Sequence, residues 1–228
     1  MGKNMKIAYL ITTYNRSEAC QRLVDSIYGN GDIFIINDGS KGYRWVKDYD
    51  VCYYKNKKNL GKQGFHKTVT NLWQMAGFDY EFYFSIQDDF LPVENFQMRA
   101  IKTWMQIPDH RKMCLNILVD KSRLNKTIWT DFPAIEYPNF RRTGWVDMHF
   151  MADSSFFEFF GCRIPETREV WEDKTLSSGV GRYISRKLYK AGYTMYQTKT
   201  SLLVPQPEAF QSQMNNWRTD QKINEVIL

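Results

Sequence analysis

Along the first half of the chain, short apolar runs alternate with segments of helical period. Lys6–Thr12, Ile33–Ile36, Val51–Tyr54, Phe82–Ile86 and Met113–Val119 predict strands. Ala19, Cys20, Leu23, Val24 and Ile27 recur at helical spacing, as do Phe65, Val69, Leu72, Trp73 and Ala76, and later Ala100, Ile101, Trp104 and Met105. Asn30-Gly31 and Gly77 read as helix stops. Strands apolar on both faces and separated by helices predict a mostly parallel central sheet flanked by helices, an α/β fold. Such sheets bind ligands at the carboxyl ends of their strands. The polar turns Thr13-Tyr14-Asn15, Asn37-Asp38-Gly39-Ser40 and Gln87-Asp88-Asp89 all follow strands.

Periodicity lapses from Asp120 to Gly144, where polar, aromatic and basic residues mix, and a loop of that length predicts a functional or mobile segment. Trp145–Met151 then predicts a strand, Val180, Tyr183, Ile184, Leu188 and Ala191 a helix ended by Gly192, and Tyr193–Gln197 and Ser201–Val204 two short strands. No repeat or linker interrupts the chain, so a single domain over 1–228 is expected.

Composition narrows the picture. The chain is 43% hydrophobic and 25% charged, which excludes a disordered polyelectrolyte. A formal net charge of +6 favours anionic partners such as nucleotides, DNA or acidic membrane. Lys55, Lys57, Lys58, Lys62 and Lys67 cluster around one predicted helix and read as a solvated face. Cys20, Cys52, Cys114 and Cys162 have no metal-knuckle spacing and predict buried free thiols in a reducing compartment. With no secretory signal and no apolar run near the roughly 20 residues of a membrane span, a cytoplasmic protein is expected.

The acid pair Asp88-Asp89 carries the sharpest chemistry. Two adjacent carboxylates behind a buried strand are costly unless a cation, ligand or water receives them. They suit a hard divalent ion shared with substrate phosphates; the alternative is a solvated turn before Pro92. Gly61, Lys62 and Gly64 at a helix start suit an anion, or supply only turn geometry. Asp38 can accept hydrogen bonds from a base or ribose, or close an Asx-turn. Asn15 reads as a helix cap compatible with ligand contact. His66 reads as a surface residue and the Phe65/Trp73 stripe as core.

In this order the residues resemble the GT-A nucleotide-sugar glycosyltransferases, particularly the family-two group. Ile11-Thr12-Thr13-Tyr14-Asn15-Arg16 is similar to that family's opening strand and loop, Ile36-Asn37-Asp38-Gly39-Ser40 to its second-strand signature, Asn59-Leu60-Gly61-Lys62-Gln63-Gly64 to its Asn-x-Gly-rich helix start, and Gln87-Asp88-Asp89 to its D-x-D element. The resemblance implies a single GT-A (Rossmann-like) domain, with 1–119 binding the nucleotide-sugar and 120–228 the acceptor. It implies that Thr12, Thr13, Tyr14, Asn15 and Arg16 hold the nucleobase, that Asp38 meets uracil or ribose, and that Asn59, Gly61 and Lys62 face the nucleotide. Asp89 would ligate Mn2+ or Mg2+, with Asp88 on the ribose or a metal-bound water.

The chain also departs from the pattern. Gln87 stands where the element's first acid belongs, and Gly179-Val180 stands where the family's catalytic Glu-Asp pair precedes the helix Arg182–Tyr193. The acceptor proton then needs another base. Asp147 and Asp153 are the leading candidates, either of which also suits a cap or turn, with Glu158, Glu172 and Asp173 behind them. No histidine follows Ser201–Pro205, where some relatives place a metal ligand.

The expected function is metal-assisted, inverting transfer of a hexose or pentose from a UDP-sugar to an acceptor hydroxyl. The absent base leaves a retaining course open. Arg141-Arg142 and Lys121, Arg123 and Lys126 make a hydroxymethylated DNA base an acceptor to test, since compact bacteriophage members resembling this chain modify such bases. A glycan, a lipid-linked sugar and a protein are the alternatives. A nucleotidyltransferase lacks support in the first loop, and a catalytically inactive nucleotide-sugar-binding protein is the non-enzymatic alternative.

Overall fold

A computed structural model describes residues 5–119, 135–146, 148–166 and 179–210, apart from the side chains of Lys62 and Phe210. Asp147, Glu172, Asp173 and the basic residues Lys121, Arg123 and Lys126 lie outside the described residues.

Ten strands and five α-helices are described. The strands are β1 (Ile7–Thr13), β2 (Asp32–Asn37), β3 (Cys52–Lys55), β4 (Phe82–Gln87), β5 (Phe90–Pro92), β6 (Lys112–Asn116), β7 (Phe140–Thr143), β8 (Phe150–Asp153), β9 (Thr194–Thr198) and β10 (Leu203–Pro205). The helices are α1 (Ser17–Ile27), α2 (Gly61–Ala76), α3 (Phe96–Gln106), α4 (Ser154–Phe160) and α5 (Gly179–Lys190). Eight strands form one sheet in the order β3-β2-β1-β4-β8-β6-β9-β7, and β5 and β10 form a separate antiparallel ribbon. Within the sheet, β8 and β7 run antiparallel to their neighbours and the other strands run parallel to one another.

Alternation along β1 divides the core. Ile7, Tyr9 and Ile11 face α1 and α3, whereas Ala8 and Leu10 face α2, α4 and α5. Helical spacing places Cys20, Leu23, Val24 and Ile27 of α1 and Phe96, Ala100 and Trp104 of α3 on the first face. On the second, Trp73 meets Phe156, Phe157 and Phe160 edge-on. Phe65 also packs against this second core.

Several details differ from the sequence reading. The strand expected at Trp145–Met151 begins only at Phe150, because Trp145 O and Val146 N are taken by Asn116 Nδ2 and Ser185 Oγ rather than by a ladder. His66 is buried, not a surface residue. Cys52 is exposed, because β3 is the edge strand, while Cys20, Cys114 and Cys162 are buried; all four are free thiols. Asn15 does not cap α1: the N-cap position is Arg16, with no side-chain cap bond. Among the described residues no helix is long and apolar enough to cross a membrane.

One half-buried clip gives the sheet an acid limit. Burial raises the Asp109 carboxyl, but hydrogen bonds from Thr194 Oγ1, Arg111 N and Tyr196 OH outweigh it and hold it below the ordinary carboxylate range. The stability this adds is present above the unfolded carboxylate pKa and is lost as pH falls through the folded one. Asp109→Asn should therefore lower Tm at neutral pH and converge with the parent protein only once pH falls below the ordinary carboxylate range. Curves that stay parallel to that limit would contradict the assignment.

Candidate active site at the carboxyl edge of the sheet

The turns after β1, β2 and β4 meet at one edge. Asp38 N donates to Thr13 O at 2.8 Å and Asp88 N to Thr12 O at 3.4 Å, so the second-strand turn and the acid pair flank the end of β1. Two strand spacings separate β2 from β4, roughly 10 Å, a span that one nucleotide bridges.

Asp88 and Asp89 are each 2% exposed. Arg16 Nη1 lies between them, 3.0 Å from Asp88 Oδ1 and 3.1 Å from Asp89 Oδ2. Burial and the adjacent Asp89 push the Asp88 carboxyl up to about 7, against the smaller opposing pull of Arg16 and Thr13. Asp88 Oδ2 is buried with no hydrogen-bond partner among the described residues. One guanidinium is thus set against two buried carboxylates.

These residues fit a divalent cation held by two carboxylates, with substrate phosphates and water completing its shell. Among the described residues no group of three or more His, Cys, Asp or Glu side chains is placed to hold a metal by itself. The fit has one condition. Arg16 Nη1 fills the space between the two oxygens, so guanidinium and ion compete for the same acids. Arg16→Ala is expected to tighten Mn2+ binding by about tenfold or more, read by calorimetry without donor. Unchanged or weaker binding would show that the ion does not enter between these two acids.

Main-chain contacts hold the acid turn from behind. Gln206 follows β10, and its Nε2 donates to Asp88 O at 2.8 Å and to Ala19 O at 3.0 Å. Gln206 N donates to Asp89 O at 2.8 Å, and its Oε1 accepts from Arg22 Nε at 2.7 Å. The position after the late strand, where the sequence offers no histidine, thus carries a buried amide that fixes the acid turn. No sequence signal marked Gln206. His149 was likewise missed. It is fully buried, its ring lies 4.4 Å from that of Phe90, and its Nδ1 accepts from Gln87 N at 3.4 Å. A lone histidine before an apolar strand reads as core from sequence, and only the pairing of β8 with β4 brings it beside the acids.

The second-strand turn has a structural part. Asp38 Oδ1 accepts from Asn56 Nδ2, Leu60 N and Thr68 Oγ1, and Oδ2 from Gly61 N, at 2.8–3.2 Å. Both oxygens are engaged, so Asp38 ties down the start of α2. Asn37 is similarly committed, to Lys41 O, Tyr53 OH and Ser40. Hydroxyls line the base of this corner, where Tyr43 OH meets Thr13 Oγ1 at 2.9 Å and accepts from Arg16 N at 3.2 Å. Tyr14 is 44% exposed on the rim, and Asn15 turns the chain with φ 53°. Asn59 is exposed beside Gly61, whose φ is 57°.

Asp153 does not belong to this edge. It pairs in register with Phe82, the first residue of β4, while the acids follow the last, about 17–20 Å away at strand rise. Its carboxylate caps α4, accepting from Ser155 N at 3.1 Å and from Ser155 Oγ. Glu158 lies in α4, which leads away from this same amino edge. The start of α5 does belong to the edge. A Cβ on Gly181 would stand 2.6 Å from Val146 O, so Gly179-Val180-Gly181 packs directly against the chain entering β8.

No protein-family model and no curated protein matches this sequence. Solved structures do. Residues 1–349 of TarS from Staphylococcus aureus align over 90% of this chain and 62% of that one, with TM-score 0.58 and 13% identity. GalNAc-T7 with UDP, GalNAc and Mn2+ aligns over 85% of this chain and 42% of that one, with TM-score 0.59 and 14% identity. The chain therefore spans less than two thirds of the length of either neighbour. The mostly parallel sheet and the likeness to both structures give this chain the GT-A fold of the nucleotide-sugar glycosyltransferases.

Proposed function

We propose that this protein transfers a sugar from a nucleoside-diphosphate sugar, with UDP-sugars the first donors to test, to an acceptor hydroxyl with inversion at the anomeric carbon. The observation that carries this reading is the buried Asp88-Asp89 pair behind β4, one nucleotide's span from the Asp38-tied start of α2. The fold likeness to a structure holding UDP and Mn2+ supports it.

In this reading the nucleoside lies over the Thr12–Arg16 turn, with Tyr14 on its rim and the Tyr43 hydroxyl beneath. Asn59, Gly61 and Lys62 border the diphosphate. Asp89 and Asp88 would hold Mn2+ or Mg2+, which supplies the positive charge that the departing diphosphate needs. The acceptor oxygen forms a bond to the anomeric carbon as the bond to the diphosphate oxygen breaks, and a base takes the acceptor proton. With Asp153 at the opposite edge, Asp147 is our candidate base. Its chain neighbours support this: Val146 N donates to Ser185 Oγ at 2.8 Å, and Met148 O accepts from Ser85 Oγ at 2.8 Å, both near the carboxyl edge. Asp147→Asn should lower kcat by about 100-fold or more with donor affinity unchanged. A loss confined to donor affinity would remove Asp147 from the proton transfer.

The deciding experiment is a panel of nucleotide sugars, scored for nucleotide release with and without Mn2+ and with neutral glycans, phosphorylated glycans and hydroxymethylated DNA as acceptors. Absence of binding to every nucleotide sugar would reject the transferase.

A further inference from the structure

A second polar cavity opens on the same side of the sheet as α3. It has a volume of about 270 Å3 and lies between α3, the segment leading into β7 and the turn after β9. Arg99, Lys102 and Lys199 bring three cationic side chains to its wall, beside Asn139, Thr198 and Thr200. Arg99 and Lys102 have no carboxylate partner among the described residues, and α3 contains no acid at all. Among the described residues Arg99 Nη2 meets Thr200 Oγ1 at a long 3.4 Å, and Lys199 is paired with Glu136 at 3.1 Å. Glu94 borders the adjoining cavity with Arg99 and Lys102, and Glu136 holds Lys199, but among the described residues no acid lines this space itself, an arrangement that an anion relieves.

The cavity is joined to the acid pair by a single strand. Leu202 forms part of its wall, and the chain then runs as β10 along β5 to Gln206, which holds the main chain of Asp88 and Asp89. Four residues of extended chain span about 13 Å, so the cavity lies within one or two sugar units of the acids.

The rest of the lining indicates what carries the anion. Among the described residues hydroxyls and amides border the cavity, and no aromatic side chain does. Sites for single-stranded nucleic acid stack bases on aromatic rings, and the described wall offers none. Hydroxyl and amide groups beside a guanidinium match a phosphate on a polyhydroxylated carrier. We propose that this cavity is an acceptor subsite for a phosphate group on a carbohydrate chain, held by Arg99 and Lys102, with its Leu202 wall joined by β10 to Gln206 behind the acid turn. The inference rests on the transferase reading for its word acceptor; the anion site itself does not.

The test uses the full chain and a fluorescently labelled oligosaccharide, with and without one phosphate, in anisotropy titrations at low and moderate salt. The phosphorylated form should bind about tenfold or more tightly than the neutral form, with the difference shrinking as salt rises. Arg99→Ala/Lys102→Ala, both exposed positions, should erase that difference. Lys190→Ala, an exposed cation at the far end of α5, should keep it. UDP binding, measured in parallel by calorimetry, should be unchanged in all three proteins. Equal binding of the two oligosaccharides, or a double variant that keeps the preference, overturns the site. A single-stranded oligonucleotide that binds more tightly through the same two residues overturns the carbohydrate assignment. Loss of UDP binding in the parent protein with the phosphate preference intact rejects the donor reading and leaves the cavity as an anion site.

Discussion

Asp89→Ala is expected to slow sugar transfer by about 1,000-fold or more while the sheet still folds. The carboxylate is one of two that would neutralise a bound cation, and among the described residues no third His, Cys, Asp or Glu is placed to hold a metal with them. Its removal does not strand Arg16, whose Nη1 stays 3.0 Å from Asp88 Oδ1. It also lifts the repulsion that raises the Asp88 carboxyl. The turn itself is held through main-chain atoms by Gln206, so replacing a side chain leaves those bonds in place. Nucleotide release with Mn2+ and the melting temperature, measured together, separate the chemistry from the fold. Retained transfer in a folded variant would show that the cation, if one is used, is held elsewhere.

Gly39→Ala carries the second large effect, on stability. Gly39 has φ +84°, a region costly for any residue with a Cβ. A Cβ there would stand 2.2 Å from Lys58 C and 2.3 Å from Asn59 N. Both contacts are main chain, so no side-chain rotation relieves them. Overpacking and backbone strain together should cost about 3–5 kcal/mol, a large fraction of a typical domain's total. Relaxation would push residues 58–61 away from Asp38 and pull Leu60 N and Gly61 N from its carboxylate. The urea midpoint should fall steeply, and at temperatures where the variant remains folded its donor affinity should fall too. A midpoint equal to that of the parent protein would mean that the two turns are not packed this tightly in solution.

Most of the architecture can be read from local pattern. Strands β1, β2 and β4 are apolar on both faces because parallel neighbours and helices cover them, and that produces unbroken runs such as Phe82–Ile86. Their helices show their buried stripes at regular spacing. Strand β8 is harder to read, since it is antiparallel and its four residues, Phe150–Asp153, overlap the predicted Trp145–Met151 only at Phe150 and Met151. The β5–β10 ribbon is harder still: three residues on each side, ending in prolines, leave too little alternation to see. Asp153 shows the limit for chemistry. Its sequence neighbours suited a base as well as a cap, and only the register against Phe82 puts it at the amino edge.

The sequence by itself determined the kind of fold, the edge where ligands gather and the acid pair behind β4, because each is encoded in residues adjacent along the chain. Tertiary structure alone decided that Arg16 sits between Asp88 and Asp89, that Asp38 serves the start of α2, and that Gln206 and His149 stand beside the acids. Those contacts join residues 22 to 118 positions apart, and no local periodicity records which distant side chain will meet a buried carboxylate once the sheet is assembled.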